Sequence, residues 1–199
     1  ESNKITYIKE EFRLKKYILI TGSPRKGANS DAICEKLKVQ MESNGCQAQI
    51  FRLEDKSVNR CLACDYCKSH DGCIQKDDAS TLIGELSECD GAVFIAPIYF
   101  GSIPGSCKVL TDRFYSLFNP AKGRVAADPS RKLGVVLTCG GSPEEAVRPV
   151  GEFVSTCFAL AGFGDHKTLV FPGQNAKDAF SANEDYQKQT EELGKWLME

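Results

Sequence analysis

The chain has 199 residues, of which 42% are hydrophobic and 26% charged, a balance that excludes disordered, collagen-like and membrane-embedded classes and suits one soluble domain with its own core. Its 25 Lys and Arg against 27 Asp and Glu leave a net charge of -2, so no global basic field exists to hold nucleic acid or an anionic membrane surface. Ten cysteines are more than a domain of this size needs, and four of them fall between Cys61 and Cys73.

The first twenty residues mix both charge signs instead of presenting the basic end and apolar middle of a secretion signal, and no apolar run approaches the length of a membrane span. The chain therefore reads as cytoplasmic. In that reducing compartment, clustered cysteines more often bind metal or carry redox chemistry than cross-link.

In chain order, five apolar runs of strand length are expected at Tyr17–Thr21, Ala48–Leu53, Ala92–Ala96, Leu133–Thr138 and Thr168–Phe171. Most are continuously apolar, as strands covered on both faces should be. Between them lie segments with helical spacing. The first runs from about Ser30 to Ser43 and stops at Asn44-Gly45. A short one follows Asp77-Asp78, and a third covers Cys107–Phe118. A fourth opens on a capping box at Ser142-Pro143-Glu144-Glu145 and continues to Leu160, and a last one is introduced by a second box at Ser181 and Glu184. Strands alternating with helices predict an α/β three-layer sandwich around an open parallel sheet.

Ligands of such sheets bind beyond the carboxyl ends of the strands, which directs attention to three loops. After the first strand, Gly22-Ser23-Pro24-Arg25-Lys26-Gly27-Ala28-Asn29-Ser30 runs into a helix. Helix N–H groups, the Ser23 and Ser30 hydroxyls, the Asn29 amide and the Arg25 guanidinium would together cradle a phosphate, although neither the P-loop nor the dinucleotide fingerprint is present. A solvated turn with an ordinary cap is the plainer alternative. After the third strand, Pro97-Ile98-Tyr99-Phe100-Gly101 is too broken for regular structure and too apolar for a casual surface loop. It suits a flat aromatic ligand, or else a loop folded over core or an oligomer contact. After the fourth strand, Cys139-Gly140-Gly141 lets the backbone approach a ligand closely, with Cys139 a redox candidate.

Cys61, Cys64 and Cys67 stand at successive two-residue gaps, and Cys73 follows after five residues. That spacing turns thiolates toward one centre as in cubane iron–sulfur sites; zinc, free thiols and a disulfide are the alternatives. His70 lies in the gap and reads as a solvated loop residue. The remaining cysteines are scattered singly, where a free thiol behaves as a small buried hydrophobe.

Gly22-Ser23-Pro24-Arg25 with Asn29-Ser30, the cysteine run followed by Asp77-Asp78, Pro97-Ile98-Tyr99-Phe100-Gly101, and Lys108 with Asp112-Arg113 together resemble the iron–sulfur flavoproteins. These are a branch of the flavodoxin-like NAD(P)H-dependent FMN reductase superfamily. The resemblance implies a five-stranded parallel sheet in the order 2-1-3-4-5 and a single flavodoxin-like domain over residues 1–199, with a cysteine-rich insertion at about 57–78. It implies FMN, its phosphate on Ser23, Arg25, Asn29 and Ser30 and its ring on Pro97, Ile98, Tyr99, Phe100 and Gly101; Cys139, Gly140 and Gly141 are counted with this set. It further implies a [4Fe-4S] cluster on Cys61, Cys64, Cys67 and Cys73, and a homodimer or homotetramer in which each cluster approaches a neighbour's flavin. Asp112-Arg113 is then a structural pair on a dimer-facing helix.

The expected chemistry needs no catalytic side chain. Electrons pass between a one-electron carrier, such as a ferredoxin, or NAD(P)H and a small-molecule acceptor, because a flavin exchanges one electron or two and a cluster only one. An NAD(P)H-dependent FMN or quinone reductase without a cluster is the alternative, and a thiol- or cluster-based sensor a third class.

Overall fold

The computed structural model describes residues 13–119, 121 and 127–199; part of the amino-terminal stretch weighed above as a possible secretion signal lies outside them. Five strands, β1 (Lys16–Thr21), β2 (Gln47–Arg52), β3 (Gly91–Pro97), β4 (Asp128–Thr138) and β5 (Phe163–Phe171), form one sheet in the order β2-β1-β3-β4-β5. Every pairing is parallel. The expected architecture and strand order are both observed.

Alternation along the strands decides which residues meet which helices, since successive side chains point to opposite faces. Tyr17, Leu19, Val93, Ile95 and Val136 share one core with Ile33, Leu37 and Met41 of α1 (Asn29–Ser43) and with Leu193 and Leu197 at the far end of the chain. Ile18, Ile20, Phe94, Val135 and Leu137 point the other way. There they meet α3 (Asp78–Glu88), α4 (Gly105–Arg113) and α5 (Glu144–Ala159), which follow a single turn, α2 (Tyr66–Ser69). The chain closes with α6 (Glu184–Met198), packed beside α1.

Three local features differ from expectation. The fourth helix starts at Glu144, with Pro143 rather than Ser142 at the cap position and no side-chain cap bond. The last is capped by Asn183, whose side chain accepts from the Tyr186 N–H at 3.0 Å, so the Ser181 box is not used. The Cys107–Phe118 segment divides into α4 and a 3-10 turn at Phe114–Leu117. In addition, β4 and β5 extend well before their apolar halves; those first residues are largely exposed, so their sequence carries no burial signal.

The sheet brings its carboxyl ends to one edge. Thr21 pairs with Arg52 and Ile95, Pro97 with Thr138, and Thr138 with Phe171. Backbone bonds lace the loops beyond that edge: Gly22 N–H to Ile95 O at 2.9 Å, Ile98 N–H to Thr138 O at 2.8 Å, Cys139 N–H to Phe171 O at 3.0 Å and Gln174 N–H to Cys139 O at 2.8 Å.

Candidate functional site

A cleft of about 550 Å³ opens over that edge. It is lined by Ser23, Arg25, Asn29 and Ser30 from the first loop, Pro97, Ile98 and Tyr99 from the second, Cys139 and Gly140 from the third, and Gln174 and Asn175 from the loop after β5. The three loops singled out in the sequence therefore converge. Phe100, Gly101 and Gly141 are not among the lining residues.

The first loop is held by charge. Asp31 in the first turn of α1 accepts the Gly27 N–H at 2.7 Å and pairs with Arg52, which closes β2 and also donates to Ser23 O at 3.1 Å. Gly27 supplies the turn into the helix with φ +66°, a conformation glycine adopts without steric cost. Ser30 is buried in the first turn of α1, where N–H groups and the helix dipole favour an anion, and Ser23, buried in the loop ahead of it, accepts the Arg25 N–H at 3.2 Å. Arg25 stands exposed above them and donates to Asn175 O at 3.1 Å.

Asn29 has a different duty from the one its residue type suggests. Its amide donates to Gln174 O at 3.2 Å and Ala176 O at 2.7 Å, and its oxygen accepts the Phe180 N–H at 3.1 Å. With both donor hydrogens and the oxygen engaged, the side chain staples the β5 loop to α1.

The second loop ends in a tight hairpin. Tyr99 and Ser102 exchange two backbone bonds, at 2.9 and 3.1 Å, around Phe100 (φ +49°) and Gly101 (φ +75°). Positive φ at both central positions defines this turn, and a phenylalanine there is strained. The Phe100 ring is fully exposed at the tip, beside the cleft.

The β5 loop contributes residues the sequence reading missed. Gln174 Oε1 is buried with no hydrogen-bond partner, although Nε2 donates to Pro172 O at 3.2 Å. An orphaned acceptor lining a cleft is costly unless a ligand donor meets it. The available signal was Pro172-Gly173, a turn directly after the fifth strand. At Gly140 a Cβ would lie 2.7 Å from Asn175 Oδ1, so this glycine makes room for Asn175, whereas a Cβ at Gly141 would meet open space.

The cysteine run forms a second, smaller pocket of about 320 Å³ that shares no lining residue with the cleft. Cys61, Cys64, Cys67 and Cys73 all line it, together with Arg113 and Tyr115. Ala63 (φ +50°) and Asp65 (φ +54°) take left-handed backbone conformations, which winds the chain tightly between the first three cysteines. Ala63 N–H points at Cys61 Sγ, 3.5 Å away. Lys68 clasps the segment to the molecule by donating to Tyr115 O at 2.7 Å and to Phe118 O, with its ammonium 3.4 Å from the Tyr115 ring centroid.

Beneath the pocket, Arg113 and Asp77 form an ion pair at 2.6 Å, their side chains 0% and 7% exposed. Asp77 also accepts the Asn59 N–H at 2.9 Å and the Ser80 N–H at 3.2 Å, capping α3. Burial alone would raise its pKa; bonds from Arg113 and these two N–H groups prevail and hold it well below the usual carboxylate range. The structural role expected of Arg113 is therefore played with Asp77 and not with its neighbour Asp112. Arg113 is wholly internal and anchors the cysteine segment. Asp112 instead pairs with Lys108 on the helix surface.

All ten cysteines are unpaired. Among the described residues no group of three or more His, Cys, Asp or Glu side chains is already arranged to hold a metal ion. His70 lies outside the pocket lining, stacked on Tyr66 with centroids 3.9 Å apart. No helix among the described residues is long and apolar enough to cross a membrane.

A doubly wound parallel sheet in this strand order, with its cleft at the carboxyl edge, is the flavodoxin-like fold. The family model described as NADPH-dependent FMN reductase matches residues 16–165, and the chain belongs to that family. Iron-sulfur flavoproteins are among its relatives: one from Methanocaldococcus jannaschii is 33% identical over 143 residues, 67% of this chain and 68% of that protein. Another, from Archaeoglobus fulgidus, is 34% identical over 125 residues, 61% of this chain and 60% of that protein. The chain spans roughly two thirds of the length of the curated relatives it matches.

Solved structures share the fold at low identity. An FMN-dependent NADH-azoreductase from Bacillus anthracis in complex with FMN superposes with a TM-score of 0.69 at 16% identity, covering 93% of this chain and all (100%) of that one. The NAD(P)H:quinone oxidoreductase from Methanothermobacter marburgensis gives 0.68 at 14%, covering 92% and 98%.

Proposed function

We propose that this protein is an iron–sulfur flavoprotein, which moves electrons between a one-electron carrier of the ferredoxin type and a small acceptor. Its single flavodoxin-like domain, residues 1–199, carries FMN in the cleft and a [4Fe-4S] cluster on an insertion at about 57–78. The observation that carries this reading is the lining of one small pocket by Cys61, Cys64, Cys67 and Cys73. Four thiols lining one pocket, at the compact spacing of Cys61, Cys64, Cys67 and Cys73, are the donor set that a [4Fe-4S] cluster takes.

In the cleft, Ser23, Ser30, Arg25 and Asn29 bind and neutralise the FMN phosphate. Pro97, Ile98 and Tyr99 support the ring system, with Phe100 and Gly101 forming its outer wall, and Cys139, Gly140 and Gly141 bound the opposite side. Gln174 Oε1 fits a flavin donor, which would satisfy its lone buried acceptor. The flavin, when bound, supplies hydride and single-electron transfer; the cluster supplies single-electron transfer only. The chain's own part is to bind, orient and keep water away.

Separate linings for the pocket and the cleft favour an assembly, a homodimer or homotetramer, that brings one subunit's pocket to a neighbour's cleft. Exposed Leu62, Ile74 and Tyr115 around the pocket and exposed Tyr99 and Phe100 beside the cleft supply apolar surface for it. Unpaired thiols match the reducing cytoplasm, where neither nucleic acid nor membrane need be a partner.

The family's description favours one other reading, an NAD(P)H-dependent FMN or quinone reductase. Anaerobic assays with reduced ferredoxin and with NAD(P)H, each with a quinone acceptor, test the proposal. Oxidation of ferredoxin that is lost when Cys61 is replaced by serine supports the cluster route. NAD(P)H oxidation indifferent to Cys61→Ser supports the reductase.

A further inference from the structure

Arg113 is the largest wholly buried side chain of the described residues, and its fork is only partly used. Nη1 donates to Asp77 Oδ2 at 2.6 Å and to Asn59 O at 2.9 Å, and Nη2 to Ser80 Oγ at 3.0 Å. Its Nε–H is buried without an acceptor. The same side chain lines the pocket of the four cysteines. Burial by itself would lower the guanidinium's pKa; the bond and charge of Asp77, and after them Cys73, raise it instead.

A buried donor left open on the wall of a pocket of thiols points to an acceptor that the thiols themselves provide. We infer that Arg113 is a positioning residue for the cysteine-held redox group, its Nε–H directed to the sulfur of Cys73, with Asp77 fixing the guanidinium and offsetting its charge. This rests on the cluster reading above. A hydrogen bond and positive charge at a ligating sulfur favour the more negative, reduced state, so they raise the reduction potential. Asp77 opposes that effect. Lysine could keep the charge but not the planar fork that holds three partners and leaves Nε free.

The two members of the pair must then act in opposite directions. In the reconstituted full-length protein, an anaerobic redox titration followed by absorbance and electron paramagnetic resonance reads the cluster's midpoint. Arg113→Gln lowers it, Arg113→Lys lowers it less, Asp77→Asn raises it, and Ser80→Ala, which removes a bond without changing charge, leaves it in place. A merely structural role predicts loss of iron without opposed shifts. Unmoved midpoints, or shifts of one sign, in variants that carry the full iron and sulfide content overturn the inference. Should Arg113→Gln or Asp77→Asn fail to fold, judged by circular dichroism and FMN binding, Arg113→Lys decides: a midpoint unchanged at full iron content overturns it. A wild-type chain that takes up no iron and sulfide overturns the cluster reading itself, a separate outcome.

Discussion

The thiol of Cys107 occupies the space a side chain at Gly22 would need. A Cβ built on Gly22 would lie 2.0 Å from Cys107 Sγ, and that sulfur in turn lies 3.7 Å from Gly22 O. Through this contact α4 fixes the backbone directly ahead of Ser23. Gly22→Ala is therefore expected to cost about 1–3 kcal/mol by overpacking and to weaken flavin binding, with Cys107→Ala restoring both in the double variant. Thermal unfolding with and without FMN reads the rescue; a double variant no better than Gly22→Ala alone would contradict the contact's role.

Burial also silences that thiol. Desolvation first, and the charge of Glu54 second, push the Cys107 pKa up to about 12. Iodoacetamide at pH 8 should label the exposed Cys64 of the metal-free chain while sparing Cys107 and the equally buried Cys34 until the protein unfolds. Mass spectrometry of the labelled peptides checks this order.

On the proposed FMN reading, two cleft residues should separate phosphate recognition from ring recognition. Arg25→Ala removes a charged donor, worth about 1.5–3 kcal/mol, and should weaken FMN binding by roughly 10- to 100-fold while leaving riboflavin unaffected. Gln174→Met removes the unpartnered acceptor at similar size. It also removes the Nε2–H bond to Pro172 O, which keeps a second donor in Tyr186 Oη, so the flavin-free protein should change little in stability while FMN binding weakens by about tenfold, the loss of one hydrogen bond. Fluorescence titration with both flavins distinguishes the two effects.

The Asp77–Arg113 pair sets a pH window. The Asp77 pKa is depressed in the fold, so its stabilisation is fully present above the unfolded carboxylate's pKa of about 3.9 and is lost as pH falls toward the folded value. Asp77→Asn leaves Arg113 buried without its counter-charge and should cost about 3–5 kcal/mol at pH 7. The gap between wild type and variant in urea unfolding should narrow below pH 4; a gap that widens there would contradict the assignment.

Much of the fold was legible because each strand is an apolar run bounded by turn residues, and because parallel strands force helical crossovers between them. The halves of β4 and β5 that escaped notice, Asp128–Lys132 and Phe163–Lys167, are mostly polar and lie at or beyond the sheet's covered area, where sequence carries no burial signal. The misplaced caps share one cause: Ser142 and Ser181 satisfy a local pattern, but Pro143 and Asn183 are where the chain turns.

In the site, the glycine- and serine-bearing loops were legible from their composition. Asn29 was not, because its three bonds reach the stretch from Gln174 to Phe180, about 150 residues away, and no local pattern announces such a partner. Arg113 was read as structural but paired with its neighbour Asp112, for the same reason. Only the folded chain brings Asp77 and Asn59 to it.

The most direct test of the account is the metal and flavin content of the full-length protein, purified and reconstituted anaerobically. The account predicts one FMN with about four iron and four acid-labile sulfide per chain, lost together from Cys61→Ser and Cys73→Ser while FMN is retained. One zinc per chain with neither iron nor sulfide would contradict it.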